Sequence, residues 1–105
     1  MRKITWSPES RDDYSKNIDF LLEEWTEREA QIFINEVEEL LFQLKKGNID
    51  FKQIGYRDIR GVKVCDQIDL LYRFNQDGNI ELIRFWDDRQ APQKLKEALN
   101  NYFMK

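Results

Sequence analysis

Five cations in the second half of the chain carry whatever chemistry this sequence can offer. Arg73 and Arg84 sit in two strand-like runs, and Arg89 follows Asp87-Asp88 just past the second run. Arg60 and Lys63 lie on the segment before them. Arginine forks onto phosphate or carboxylate oxygens but stays protonated at working pH, so it stabilises anionic charge and makes a poor base. The chain has no histidine and one cysteine, Cys65, which rules out a Cys–His nucleophile pair and an internal disulfide. Zinc is not expected for the same reason, nor any other metal or cofactor. The acids Glu36, Glu38 and Glu39 read as a solvated helix face, since their spacing does not converge three carboxylates.

Charge is unevenly spread around a net −3. Residues 1–51 carry 7 basic and 12 acidic groups, and residues 52–105 carry 10 and 8. A polyanion-facing or acid-facing surface therefore belongs to the second half, on an acidic scaffold. At 105 residues the chain reads as a single domain, 1–105, with too many aromatic and branched residues for disorder. No apolar run reaches the roughly 20 residues of a membrane span, no secretory segment is evident, and cytoplasmic residence is expected.

The elements that must hold these side chains follow from periodicity and caps. Lys3 to Trp6 alternates as a first strand. Ser7-Pro8-Glu9 starts a helix with cap, proline and acid in order, and Tyr14, Ile18, Leu21, Leu22 and Trp25 form its stripe. Thr26 and Glu29 start a second helix, with Ala30, Phe33, Val37, Leu40, Leu41 and Leu44 inside and Gly47 as its stop. Strands are expected around Ile54 to Ile59, with a break at Gly61, and then from Val62. A half-buried strand follows at Ile68 to Phe74, and another at Ile80 to Trp86. Asp77-Gly78 predicts a two-residue turn between the last two, in which facing residues sum to 155. Asp69, Arg73, Arg84 and Trp86 then share one open face, suited to a partner. Ile83 and Phe85 go to the opposite face, under the two helices. Pro92 opens a last helix through Leu95, Leu99 and Tyr102. The order is β-α-α-β-β-β-α in an α+β fold.

That order, with Ile4-Thr5-Trp6-Ser7-Pro8-Glu9, Phe33-Ile34-Asn35, Tyr56-Arg57 with Arg60, Leu71-Tyr72-Arg73 and Arg89-Gln90-Ala91-Pro92, resembles the RelE/ParE toxin superfamily of bacterial toxin–antitoxin modules. The resemblance spans nearly the whole chain. It implies a twisted antiparallel sheet with a helical hairpin on one face, and a cognate antitoxin that wraps the toxin. It also implies one of two targets. RelE-like members cleave mRNA in the ribosome, and ParE-like members poison DNA gyrase without being nucleases. On the nuclease reading, Arg89 stabilises the scissile phosphate, with Arg60 and Lys63 as neighbouring cations. Against it, Asp69 stands where RelE-like nucleases carry arginine, and Asp87-Asp88 precede Arg89 where others have His-Gly or a basic pair. The expectation is a growth-inhibiting toxin, with gyrase slightly favoured. The alternatives are a ribosome-dependent endoribonuclease, or a non-toxic binding module on the same fold.

Overall fold

Local signals and long-range contacts divide the work of building this chain. In a computed structural model, residues 1–47 and 49–104 are described. Strand β1 (Ile4–Trp6) leads into helices α1 (Pro8–Glu24) and α2 (Glu27–Lys46). Strands β2 (Arg60–Cys65), β3 (Ile68–Phe74) and β4 (Ile80–Asp87) follow, then helix α3 (Pro92–Phe103). The expected element order is the observed one. Ser7 caps α1 through its hydroxyl, which accepts from the Ser10 N–H at 2.9 Å, and Thr26 caps α2 in the same way through Glu29. Gly47 ends α2 in the left-handed region, φ 79°, which favours a residue without Cβ.

The sheet order is β1-β4-β3-β2. β2, β3 and β4 run antiparallel, but β1 joins β4 in parallel, so the sheet is mixed rather than antiparallel throughout. The helical hairpin follows β1 directly and carries the chain across one face of the sheet. That connection lets β1 add beside β4 in its own direction.

The hairpin turn departs from the Asp-Gly expectation. The loop is Gln76-Asp77-Gly78, closed by the Asn75 N–H donating to the Asn79 carbonyl at 2.8 Å. The Asn75 side-chain oxygen accepts from the N–H groups of Asp77 and Asn79 at 2.9 and 3.0 Å. An asparagine positioned to bond the backbone ahead of it stabilises the wider turn, and Gly78, φ 78°, takes the bulge position. Register near the turn is thus one residue off, with Arg73 opposite Glu81 instead of Leu82.

A β-bulge then restores the expected pairing. Tyr72 faces Leu82 and Leu71 faces Arg84, which leaves Ile83 as the extra residue. Leu71–Arg84 and Asp69–Trp86 pair as the 155 rule requires. Ile83, expected under the helical hairpin, is turned to the other face.

Both faces are covered. On one, Phe33, Val37 and Leu44 of α2 pack on Leu70, Tyr72, Leu82 and Phe85. On the other, Leu71, Ile83 and Trp86 are buried with Ile59 and with Leu99 of α3. The expected open face is therefore a second core. Its lid is α3 together with the 52–59 segment, which is a loop and not a strand. Gly61, expected as a break, lies inside β2, where a Cβ would come within 2.8 Å of the Ile54 side chain. At the far end of the hairpin Trp25 has left the helical phase as the C-cap of α1 and is 64% exposed, so it is not core.

Ser7→Ala tests the first joint. It removes a cap and leaves two buried backbone partners unmatched, because the Ser7 hydroxyl also donates to the Ile83 carbonyl at 2.8 Å. Urea unfolding should show a loss of about 2–3 kcal/mol. A change below about 0.5 kcal/mol, the usual surface range, would remove Ser7 from this role.

Candidate functional site

The seven residues singled out in the sequence do not converge on one site. Arg84 leaves the sheet face at its edge. β1 stops pairing with β4 at Leu82, so the edge beyond is open to α1. There the Asp13 carboxylate takes Arg84 Nε at 2.7 Å and Nη2 at 2.9 Å, and also accepts the Phe85 N–H at 3.1 Å. Arg84 lies over the Trp86 ring at 5.3 Å, and Trp86 is 7% exposed. Of these two residues, expected on an open face, Arg84 ties α1 to β4 and Trp86 is buried in the second core. Asp13 is 71 residues from Arg84, and no local motif marks the pairing.

Arg73 sits at the turn end of the same face. It pairs with Glu81 at 3.4 Å and lies over Phe103 of α3 at 5.1 Å. Glu81 also accepts the Tyr102 hydroxyl. Burial, then Glu81, pushes the Tyr102 phenol well above its usual range, so it stays protonated at working pH. Arg60 donates to the Phe51 carbonyl at 2.6 Å and lies over Phe74 at 5.4 Å, which anchors the chain after α2. It is a brace, away from Arg89.

Three of the seven do meet, at the end of the sheet where β4 runs into the loop before α3. Lys63 of β2 reaches Asp69 of β3 at 3.4 Å and makes a closer ion pair with Asp88. Beside them, Asp87 holds Arg89 in a two-pronged grip, with Nε at 3.0 Å and Nη2 at 2.7 Å, and accepts the Arg89 N–H at 2.9 Å. The Arg89 guanidinium holds the Asp87 carboxyl below its usual range, and Asp87 raises Arg89 in return. Asp88, then Asp69, raises Lys63. Next to this cluster a cavity of about 330 Å³ has Leu71, Trp86, Ile54 and Leu95 as its apolar walls and Lys63 and Asp69 on its rim.

Lys63 and Arg89 thus stand among Asp69, Asp87 and Asp88, and the cluster is net negative. It holds both cations in salt bridges, and its Asp87 carboxyl is shifted toward the ionised, less basic form by Arg89. Among the described residues no group of three histidine, cysteine or carboxylate side chains converges for a metal ion. No described helix is long and apolar enough to cross a membrane.

No protein-family model matches the chain, and no curated protein matches it. Solved structures do. A chromosomal ParDE toxin–antitoxin system from P. aeruginosa aligns with a TM-score of 0.69 at 12% identity, over 83% of this chain and 96% of that one. The fold is that of the ParE and YoeB toxins. A YoeB dimer from Staphylococcus aureus aligns at 0.59 with 15% identity, covering 80% of this chain and 93% of its own. A YoeB/ParE toxin from Agrobacterium tumefaciens aligns at 0.58 with 15% identity, covering 81% and 96%. In the ParE/YoeB-type fold seen here, α3 and the 52–59 loop close the second sheet face, and the exposed ion cluster stands at their margin.

Two measurements separate brace from site. Arg84→Ala should lower stability by about 1–3 kcal/mol, the scale of a lost charge-assisted hydrogen bond, and a neutral result in urea would free Arg84 for another role. For Asp87, a carboxyl depressed in the folded state contributes stability that is present above the unfolded pKa and lost as pH falls through the folded one. NMR titration should therefore find the Asp87 midpoint below that of a free aspartate. Arg89→Ala should raise it toward the ordinary value and flatten the acid limb of stability, and an unmoved midpoint would contradict the pairing.

Proposed function

We propose that the chain is a toxin of the RelE/ParE superfamily in a type II toxin–antitoxin module, held inactive by an antitoxin protein and acting in the cytoplasm on DNA gyrase. The fold supports the toxin class: the similarity to the ParDE toxin–antitoxin structure spans most of both chains. The observation that carries the choice of target is the ion cluster. Phosphodiester cleavage needs a group to take a proton, a group to give one, and cation to meet the charge of the transition state. Here Lys63 and Arg89 are already engaged by carboxylates. Asp87 is shifted away from the range where a carboxylate abstracts protons, and Tyr102 is bonded to Glu81 beneath Arg73. A mixed-charge rim beside an apolar cavity suits a protein surface better than a phosphate backbone, which calls for net cation.

The test is induction of the chain in a bacterium with thymidine and methionine incorporation followed side by side, together with a supercoiling assay on purified gyrase. Thymidine incorporation should fall first, and the purified chain should block supercoiling. Early methionine loss that disappears with Arg89→Ala would replace gyrase by message as the target. Two unchanged traces would leave a binding module on a toxin fold.

A further inference from the structure

The sheet face under α3 carries two neighbouring cross-strand rows. One is Lys63, Asp69 and Trp86, and the next is Gly61, Leu71 and Arg84. The second row leaves space. Gly61 has no side chain, and Arg84 is drawn to Asp13 at the β4 edge. Leu71 and Trp86 thus become the floor of a hollow, with Ile54 of the preceding loop and Leu95 of α3 as walls. This is the cavity of about 330 Å³ beside the ion cluster. Ligand pockets span roughly 300–1,000 Å³, so this one suits a single large side chain better than a cofactor. Leu71 and Trp86 are buried but Ile54 is exposed, so an apolar group seated here would cover a surface that water now touches.

Two charges line the hollow, Lys63 and Asp69, and they are unequally engaged. Lys63 makes its closer ion pair with Asp88 and also donates to the Asp66 carbonyl at 3.3 Å. It reaches Asp69 only at 3.4 Å. Asp69 is part-exposed and has no second ion pair among the described residues. A cation arriving at Asp69 therefore leaves Lys63 with two partners. An anion arriving at Lys63 has to compete with Asp88 and stand beside two carboxylates. The hollow thus favours an apolar body that carries a positive charge.

We propose that this hollow receives an apolar side chain of the target protein, and that a lysine or arginine next to it in the target closes on Asp69. The inference rests on the protein target proposed above and names what that target must present.

The chemistry can be tested without the target. Tryptamine joins an indole to an ammonium, and indole-3-propionate joins the same ring to a carboxylate. In NMR titrations of the full chain, tryptamine should saturably shift the Trp86 indole N–H and the backbone amides of Lys63 and Leu71. Its Kd should be at least about tenfold below that of indole-3-propionate. Asp69→Asn, a change at a part-exposed side chain, should bring the two Kd values together while circular dichroism reports a folded chain. Equal binding by the wild type, a preference for the propionate, or no saturable shift at these residues overturns the proposal. The second arm is the gyrase supercoiling assay with Asp69→Lys, which should lose inhibition at least about tenfold. Inhibition that survives Asp69→Lys overturns the hollow as the docking site. A successful tryptamine titration beside a wild type inert toward gyrase supports the hollow and overturns gyrase as the target.

Discussion

A single buried hydroxyl holds three elements in place. Ser7 ends β1, caps α1 and donates to the Ile83 carbonyl of β4, and its own N–H donates to Leu82. Ser10, fully buried one turn later, donates its hydroxyl back to the Ser7 carbonyl. The partner of Ser7 is the residue inserted by the bulge in β4. That insertion turns Ile83 and Arg84 to the same side of the sheet and leaves Leu82 and Phe85 on the helical side. The first core, under the helical hairpin, and the second core, under α3, both take their composition from this one irregularity. Removing it would put the buried Ile83 on the opposite face from the buried Trp86, a cost set by apolar burial rather than by any one hydrogen bond.

Charge follows the same economy of position. The cations that sequence offers as a functional set are distributed by the fold among separate tasks. Arg84 binds α1 to the β4 edge, Arg73 links the hairpin to α3, and Arg60 fastens the chain that follows α2. Lys63 and Arg89 are matched against three aspartates at the end of the sheet. Exposed ion pairs of this kind contribute little to stability and are screened by salt. Their consequence is electrostatic. A phosphate approaching the cluster would meet carboxylates as well as cations. An incoming carboxylate or amide could instead exchange with Asp87 on Arg89, whose side chain is 57% exposed.

The sequence was most legible where the controlling contacts are local. The caps at Ser7 and Thr26, the stop at Gly47 and the opening of α3 at Pro92 are short-range events, and periodicity placed the helices they bound. The hairpin turn departs from the Asp77-Gly78 expectation because the Asn75 side chain bonds two backbone N–H groups and makes a longer loop. The bulge was illegible because the Ser7 hydroxyl that bonds its inserted residue is 76 residues away. The same holds for the site. Arg84 and Trp86 have an exposed-looking pattern along β4, but what covers them, Asp13 of α1 and Leu99 of α3, is supplied by tertiary packing. Lys63, Asp69 and Arg89 do lie together, because strand pairing and the end of β4 are themselves legible.

The two edges of the sheet are treated differently, and this bears on where partners approach. The β2 edge is shielded by the preceding loop: Gln53 bridges to Arg60, the Gly61 N–H donates to Lys52, and Ile54 packs over Gly61. With no Cβ on Gly61, the loop closes down on the strand and takes up its outward groups. Among the described residues β1 has no such cover. It is three residues long, short enough to discourage indiscriminate strand addition, and it lies beside apolar residues of α2 and the paired signs of Glu38 and Lys45. The covered β2 edge and the α3 lid leave side chains, and not strand backbone, at the surface around Arg89.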